Sequence, residues 1–245
     1  MSQVEFRLLG PVDILNGEQS LGLATPQQRG ILASLLLDAN RVVPIEKMLR
    51  VIWGEEPTES ARNAVQGYIS KIRRILAPFP DCGIATSPQG YSLQVDRGRI
   101  DLYRFRHLVD VAHRSDAAHS AEHLKRALEL WQGPALTGVA GQWLPSRVGT
   151  YLEEERLSAL EDHAAAVLEV GRLREAIAEL TTLVVDHPLR ERAAGLLMAA
   201  LHRAGRRADA LTVFRNTRHH LVRELGIEPG TVLHRTHQQI LSDAL

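Results

Sequence analysis

The dipeptide Gly171-Arg172 returns as Gly205-Arg206, 34 residues later. In the same phase Ala176 matches Ala210 and Leu180 matches Phe214. Each copy therefore carries a small residue where two helices can cross and a bulky one a turn further on. A chain that repeats at this period stacks helix–turn–helix units, because one unit cannot bury its apolar face alone. Thirty-four residues is the tetratricopeptide period, and Gly171, Ala176, Leu180, Leu183 and Pro188 fall at the spacings that motif prefers. An ordinary antiparallel bundle is the competing reading. The second copy has Val222 where the first has Pro188, and it runs on to Pro229, so an irregular last repeat is expected.

The repeat belongs to a half of the chain with its own texture. After Gly98 almost everything reads helical, punctuated by Gly133-Pro134, Gly138, Gly141, Pro145, Gly149, Gly171, Pro188, Gly205, Gly226 and Pro229-Gly230. Before it the pattern is mixed. The expected domains are 1–97 and 98–245, each large enough to hold a core.

In the first half, Val4, Phe6 and Leu8 alternate with polar residues, and Asn16-Gly17 separates two short apolar runs, which predicts an antiparallel hairpin. Thr25-Pro26-Gln27-Gln28 reads as an N-cap, a proline at the first helical position and a capping-box glutamine. A second helix is expected from about Pro44 to Trp53, stopped by Gly54, and a third from Thr58, its expected cap. Ile84–Thr86, a turn at Ser87-Pro88-Gln89-Gly90, and Tyr91, Leu93, Val95 read as a second hairpin. Asp101 caps the first helix of the second half.

The third helix carries the chemistry. At 100° per residue, Ala61, Ala64, Val65, Tyr68, Ile69, Ile72, Ile75 and Leu76 form one face. Arg62, Asn63, Gln66, Ser70, Arg73 and Arg74 form the other, with Lys71 at the border and Glu59 at the N-terminal end. No acidic residue lies between Ala61 and Ala77. Solvated helix faces usually mix both signs. A major groove admits a helix, where Arg forks onto guanine, Asn and Gln bridge adenine, and Ser serves either. Two helices, a loop, such a helix and then a hairpin make a winged helix-turn-helix layout. The fold class is mixed, an N-terminal α+β winged helix-turn-helix followed by an all-α tetratricopeptide-like domain.

Composition sets limits. There are 29 basic and 29 acidic residues, for a net charge of zero, with 44% hydrophobic residues. That excludes a disordered polyelectrolyte and a uniformly basic DNA-coating protein. Residues 1–97 hold ten charges of each sign, so positive charge is concentrated on one helix, not on the domain. One cysteine, Cys82, excludes an internal disulfide or a cysteine-based zinc site and suits a reducing compartment. Cys82 has no basic neighbour in sequence and is expected to be inert. Met1–Arg7 does not read as a leader, and no apolar run reaches the ~18 residues of a membrane span, so a cytoplasmic chain is expected. No catalytic motif is present, and no enzyme is expected. The eleven histidines, His219, His220, His234 and His237 among them, are expected at the surface; no metal and no cofactor is anticipated.

The chain resembles the Streptomyces antibiotic regulatory protein family. The resemblance rests on Pro26–Arg29, Leu35–Leu37, Ala39–Val43, Leu49, Trp53–Glu55, Ala61–Arg74, Gly90-Tyr91 and Ile100–Phe105, and it covers essentially the whole chain. It implies an OmpR-type winged helix followed by a bacterial transcriptional activation domain. It also implies an activator of antibiotic or other biosynthetic gene clusters that binds direct repeats in double-stranded DNA and recruits RNA polymerase holoenzyme. The chain contains no Gly-x-x-x-x-Gly-Lys-Ser/Thr, so the short two-domain class is expected. On this reading Arg62, Asn63, Gln66 and Ser70 lie nearest the bases, and Lys71, Arg73 and Arg74 hold phosphates. Ser87, Gln89, Gly90 and Tyr91 belong to the wing, which departs from relatives in lacking an arginine. Gly54, Glu55, Glu56 and Pro57 form the loop that in OmpR-type activators faces polymerase, or else a plain acidic turn. A homodimer or a tandem pair on DNA is expected, and removal of everything after Gly98 is expected to spare some DNA binding and lose activation. Two other readings stay open at this point: a helical-repeat adaptor, and a ligand-sensing regulator with a pocket lined by Trp131, Trp143 and Tyr151.

Overall fold

A computed structural model describes residues 4–58 and 60–242. Met1–Gln3, where the leader reading began, and Glu59, expected beside the reading face, lie outside the described residues. The chain divides into two compact units, one of Met1–Val109 with Arg126–Arg156, the other of Asp110–Lys125 with Leu157–Leu245.

The first unit opens with strands β1 (Val4–Arg7), β2 (Asp13–Asn16) and β3 (Gln19–Ser20) in an antiparallel sheet ordered β1-β2-β3. Phe6 pairs with Ile14 and Asn16 with Gln19, so Gly17-Glu18, one residue later than read from sequence, makes the turn. Gly17 sits at φ +62°, the left-handed region that glycine enters at no steric cost. Helix α1 (Pro26–Leu37) starts as its sequence dictates: Thr25 Oγ1 accepts from the Gln28 N–H at 3.3 Å, and the Gln28 side chain accepts from the Thr25 N–H at 3.1 Å. Strand β4 (Val43–Pro44) leads into α2 (Ile45–Trp53), which Gly54 terminates at φ +74°. Helix α3 (Ala61–Leu76) begins at Ser60, not Thr58, and has no side-chain cap bond there. Strands β5 (Gly83–Ser87) and β6 (Gly90–Gln94) form the second hairpin, and β4 joins it in the order β4-β6-β5. Helices and hairpin make the expected winged helix.

The change of texture near Gly98 and the division into compact units do not coincide along the chain. After a single 3-10 turn at Arg97–Arg99, helix α4 (Asp101–Ala112) begins with a carboxylate buried in the first unit. Asp101 accepts from the backbone N–H groups of Leu8, Leu9 and Leu102 at 2.7–2.9 Å. Burial pushes its carboxyl up to about 6, against the pull of those three donors. Residues 132–137 also pair with this edge: Gln132 N donates to Leu9 O at 2.7 Å, and Val12 N to Thr137 O at 3.0 Å. Trp131 packs edge-on against Phe105 at 5.5 Å, with the Arg156 guanidinium 5.4 Å from its ring. Of the aromatics in the ligand-sensing reading, Trp131 is thus in the core, whereas Tyr151 is 61% exposed.

The second unit is helical. After α5 (Ala117–Leu128) and α6 (Thr150–Glu169), which contribute to both units, come α7 (Leu173–Asp186), α8 (Glu191–Arg203), α9 (Arg207–Leu225) and α10 (Thr231–Leu241). The repeat is physical, bond for bond. Gly171 and Gly205 both have positive φ; Arg172 N donates to Val167 O, and Arg206 N to Leu201 O. Arg172 pairs with Glu175, and Arg206 with Asp209. Ala176, Leu180, Ala210 and Phe214 are all buried in one core with Ala194, Leu197 and Met198. At Val222, where the first copy has its proline, α9 runs on to Gly226.

Candidate nucleic-acid interface

Helix α3 buries Ala61, Val65, Ile69, Ile72 and Leu76, a stripe at intervals of four, four, three and four. That stripe fixes the helix against α1 and α2 and decides what faces outward. Arg62, Asn63, Gln66, Ser70, Lys71 and Arg74 are all exposed, as the periodicity requires. Two basic residues in the last turn, Arg73 and Arg74, favour the negative end of the helix dipole.

The basic side chains differ in freedom. Arg62 donates from one terminal nitrogen to Glu46 on α2 at 2.8 Å. The Glu46 carboxyl lies below its ordinary value because its own backbone N–H and Arg62 both favour the ionised form. Lys71 stands 6.0 Å from the Tyr68 ring centre. Arg73 is half-buried and turned toward the wing, donating to Ile84 O at 3.0 Å and to Thr86 Oγ1 at 2.7 Å. Its guanidinium also lies 5.7 Å from the Tyr91 ring. Arg74, by contrast, is exposed.

The wing requires a correction. Ser87 is half-buried and Gln89 exposed, but Gly90 and Tyr91 are buried. Gly90 pairs with Pro44, so close that a Cβ there would overlap the Val43 carbonyl oxygen. Tyr91 faces Val43 and Thr86 across the sheet. These two residues dock the hairpin onto β4; they are not groups presented outward. The 54–57 loop is open: Glu55 is 79% exposed on its side chain and pairs with Arg50 at 3.2 Å.

Sequence reading missed the partners Glu46, Ile84 and Thr86, since helical periodicity names a face but not what stands across from it. It also placed histidines at the surface, whereas His163 is 3% exposed. The cause is a bond between helices, His163 Nδ1 to Glu179 at 2.9 Å. His163, Glu175 and Glu179 bring ligand atoms within 4.8 Å of one another. Glu175 is already engaged by Arg172 at 2.6 Å. His237 stacks on Phe214 at 3.9 Å. Cys82 is buried, and burial pushes its thiol up. Among the described residues no helix is long and apolar enough to cross a membrane.

Comparison with known proteins gives this geometry its context. Residues 100–241 match the family described as the bacterial transcriptional activator domain, and residues 19–93 match that of the transcriptional regulatory protein C terminus. Regulatory protein AfsR of Streptomyces coelicolor is 39% identical over 97% of this chain and 24% of its own length. Transcriptional regulator RedD of the same organism is 38% identical, over 98% of this chain and 71% of its own. Regulatory protein DnrI of Streptomyces peucetius is 32% identical, over 97% and 92%. The chain thus spans about a quarter of AfsR and most of DnrI. A solved structure of Mycobacterium tuberculosis EmbR, in complex with a low affinity phosphopeptide, superposes with a TM-score of 0.94 at 30% identity, covering 100% of this chain and 66% of that one. The matched proteins are named as regulators. With its winged helix and its helical repeats in the same order as these relatives, the chain belongs to the Streptomyces antibiotic regulatory protein family.

Proposed function

We propose that this chain is a sequence-specific DNA-binding transcriptional activator of a biosynthetic gene cluster, acting in the cytoplasm. The observation that carries the reading is the outward face of α3, with Arg62, Asn63, Gln66 and Ser70 exposed together and no acid on the helix. Arg62, Asn63, Gln66 and Ser70 read bases; Lys71 and Arg74 hold phosphates. Arg73 is assigned to holding the wing, and Ser87 and Gln89 are the wing residues left for the backbone. The winged helix of residues 1–97 sits on direct repeats as a homodimer or tandem pair. Gly54–Pro57 and the helical domain of residues 98–245 engage RNA polymerase holoenzyme. With zero net charge, attraction to arbitrary DNA is modest, and selectivity comes from base contacts and paired binding. DNase footprinting on promoters neighbouring its own gene tests this. Two protected direct repeats are expected; no protected site there at any protein concentration would contradict it.

A further inference from the structure

The ion pair between Arg62 and Glu46 is not one of the molecule's forked arginine–glutamate pairs. Arg106 meets Glu155 through two bonds, at 2.9 and 2.7 Å. Arg218 meets Glu228 in the same way, at 2.6 and 2.7 Å. In both, the planar fork of the guanidinium is closed on a carboxylate. Arg62 instead gives Glu46 a single bond, from one terminal nitrogen to one oxygen at 2.8 Å. A guanidinium has five N–H donors, so most of the fork remains available. Both partners are well exposed, at 59% and 66% of their side chains, and Glu46 lies in the first turn of α2 beside the N-terminal end of α3.

We infer that Glu46 is a positioning residue for DNA specificity, holding the Arg62 side chain by one edge so that its free edge is presented to a guanine. The inference rests on the reading of α3 as the base-reading helix. Its chemistry has two parts. An unrestrained arginine loses rotamer freedom on binding, and a side chain already held loses less. A carboxylate beside the guanidinium also repels phosphate, so the arginine gains little by leaving the base for the nearest backbone oxygen. Guanine offers two acceptors, O6 and N7, on an uncharged edge that Glu46 does not oppose. Glu46 therefore lowers affinity for arbitrary DNA and preserves affinity for the right sequence.

The test compares two duplexes: the tightest that the wild-type full chain selects from a randomised pool, and a scrambled version of the same length. In Glu46→Ala the ratio of their affinities should fall about tenfold, the size of one lost base contact. Binding to the scrambled duplex should tighten, and its salt slope should steepen by about one as Arg62 moves to a phosphate. Glu46→Gln, which keeps an acceptor and loses the charge, should show the same change in slope. In an Arg62→Ala background Glu46→Ala should leave the ratio unchanged. A ratio within about twofold of wild type in Glu46→Ala, or an equal loss in the Arg62→Ala background, would overturn the inference while leaving the base-reading helix intact. If both duplexes tighten equally, Glu46 is only a repelling charge, and the inference is equally overturned. A wild-type chain that enriches no duplex overturns the reading of α3, and the inference with it.

Discussion

Asp101 does two jobs at one position. It starts α4 and, from inside the first unit, accepts the N–H groups of Leu8 and Leu9 at the end of β1. Asp101→Ala leaves these donors buried without an acceptor, and a loss of about 2–4 kcal/mol in urea unfolding is expected. Its carboxyl is raised to about 6, above the unfolded value, so folding takes up a proton between the two. The contribution of this group favours the fold below the unfolded value and is lost as pH rises through 6. Stability against pH between 4 and 7 should therefore fall less steeply in Asp101→Asn than in the wild type. The sequence reading placed the start of the helix but made Asp101 its cap; Asp101 is instead the first helical residue, after Ile100, and its carboxylate turns to Leu8 and Leu9, which are distant in the chain. Arg73 and Arg74 illustrate the same limit: neighbours in sequence and both assigned to the outward face, they have different tasks. Arg73→Ala should lower the melting temperature and leave the salt slope of DNA binding unchanged; Arg74→Ala should reduce that slope by about one with the melting temperature intact.

At the level of elements, local chemistry was legible wherever it is self-contained. The capping box of α1 and the glycine stop of α2 lie within a few residues of chain, and the apolar stripe of α3 within a single helix, and each was readable. The wing was readable as a hairpin but not as a docked hairpin, because the strand that covers Gly90 and Tyr91 comes from Val43-Pro44. Gly90 was read as a turn residue; its more demanding role is to let the Val43 carbonyl approach. Gly90→Ala should push β6 from β4 and cost about 1–3 kcal/mol in thermal or denaturant unfolding, the range for overpacking a close contact. In the helical unit the repeat was legible because its two copies make the same turn with the same bonds, at Gly171 and again at Gly205.

For the whole molecule, the sequence pattern and the compact units divide the chain differently. Texture changes where strands give way to helices, near Gly98, whereas compactness follows contacts, and the first unit takes in Ile100, Asp101, Phe105 and Trp131. A fragment ending at Gly98 loses the Asp101 acceptor, the Phe105–Trp131 contact and the pairing of Val12 with Thr137. It should be digested by protease much faster than the full chain, so the expectation that such a fragment binds DNA by itself gives way to one of a poorly folded fragment. What the whole molecule does depends on whether α3 reads bases. The most direct measurement is fluorescence anisotropy of the full chain on selected and scrambled duplexes, from about 50 to 200 mM salt, with Gln66→Ala. Gln66→Ala is expected to weaken the selected duplex by about 1–3 kcal/mol, relax preference at one position, and leave the salt slope and the scrambled duplex unchanged. Equal weakening of both duplexes would contradict the reading of α3.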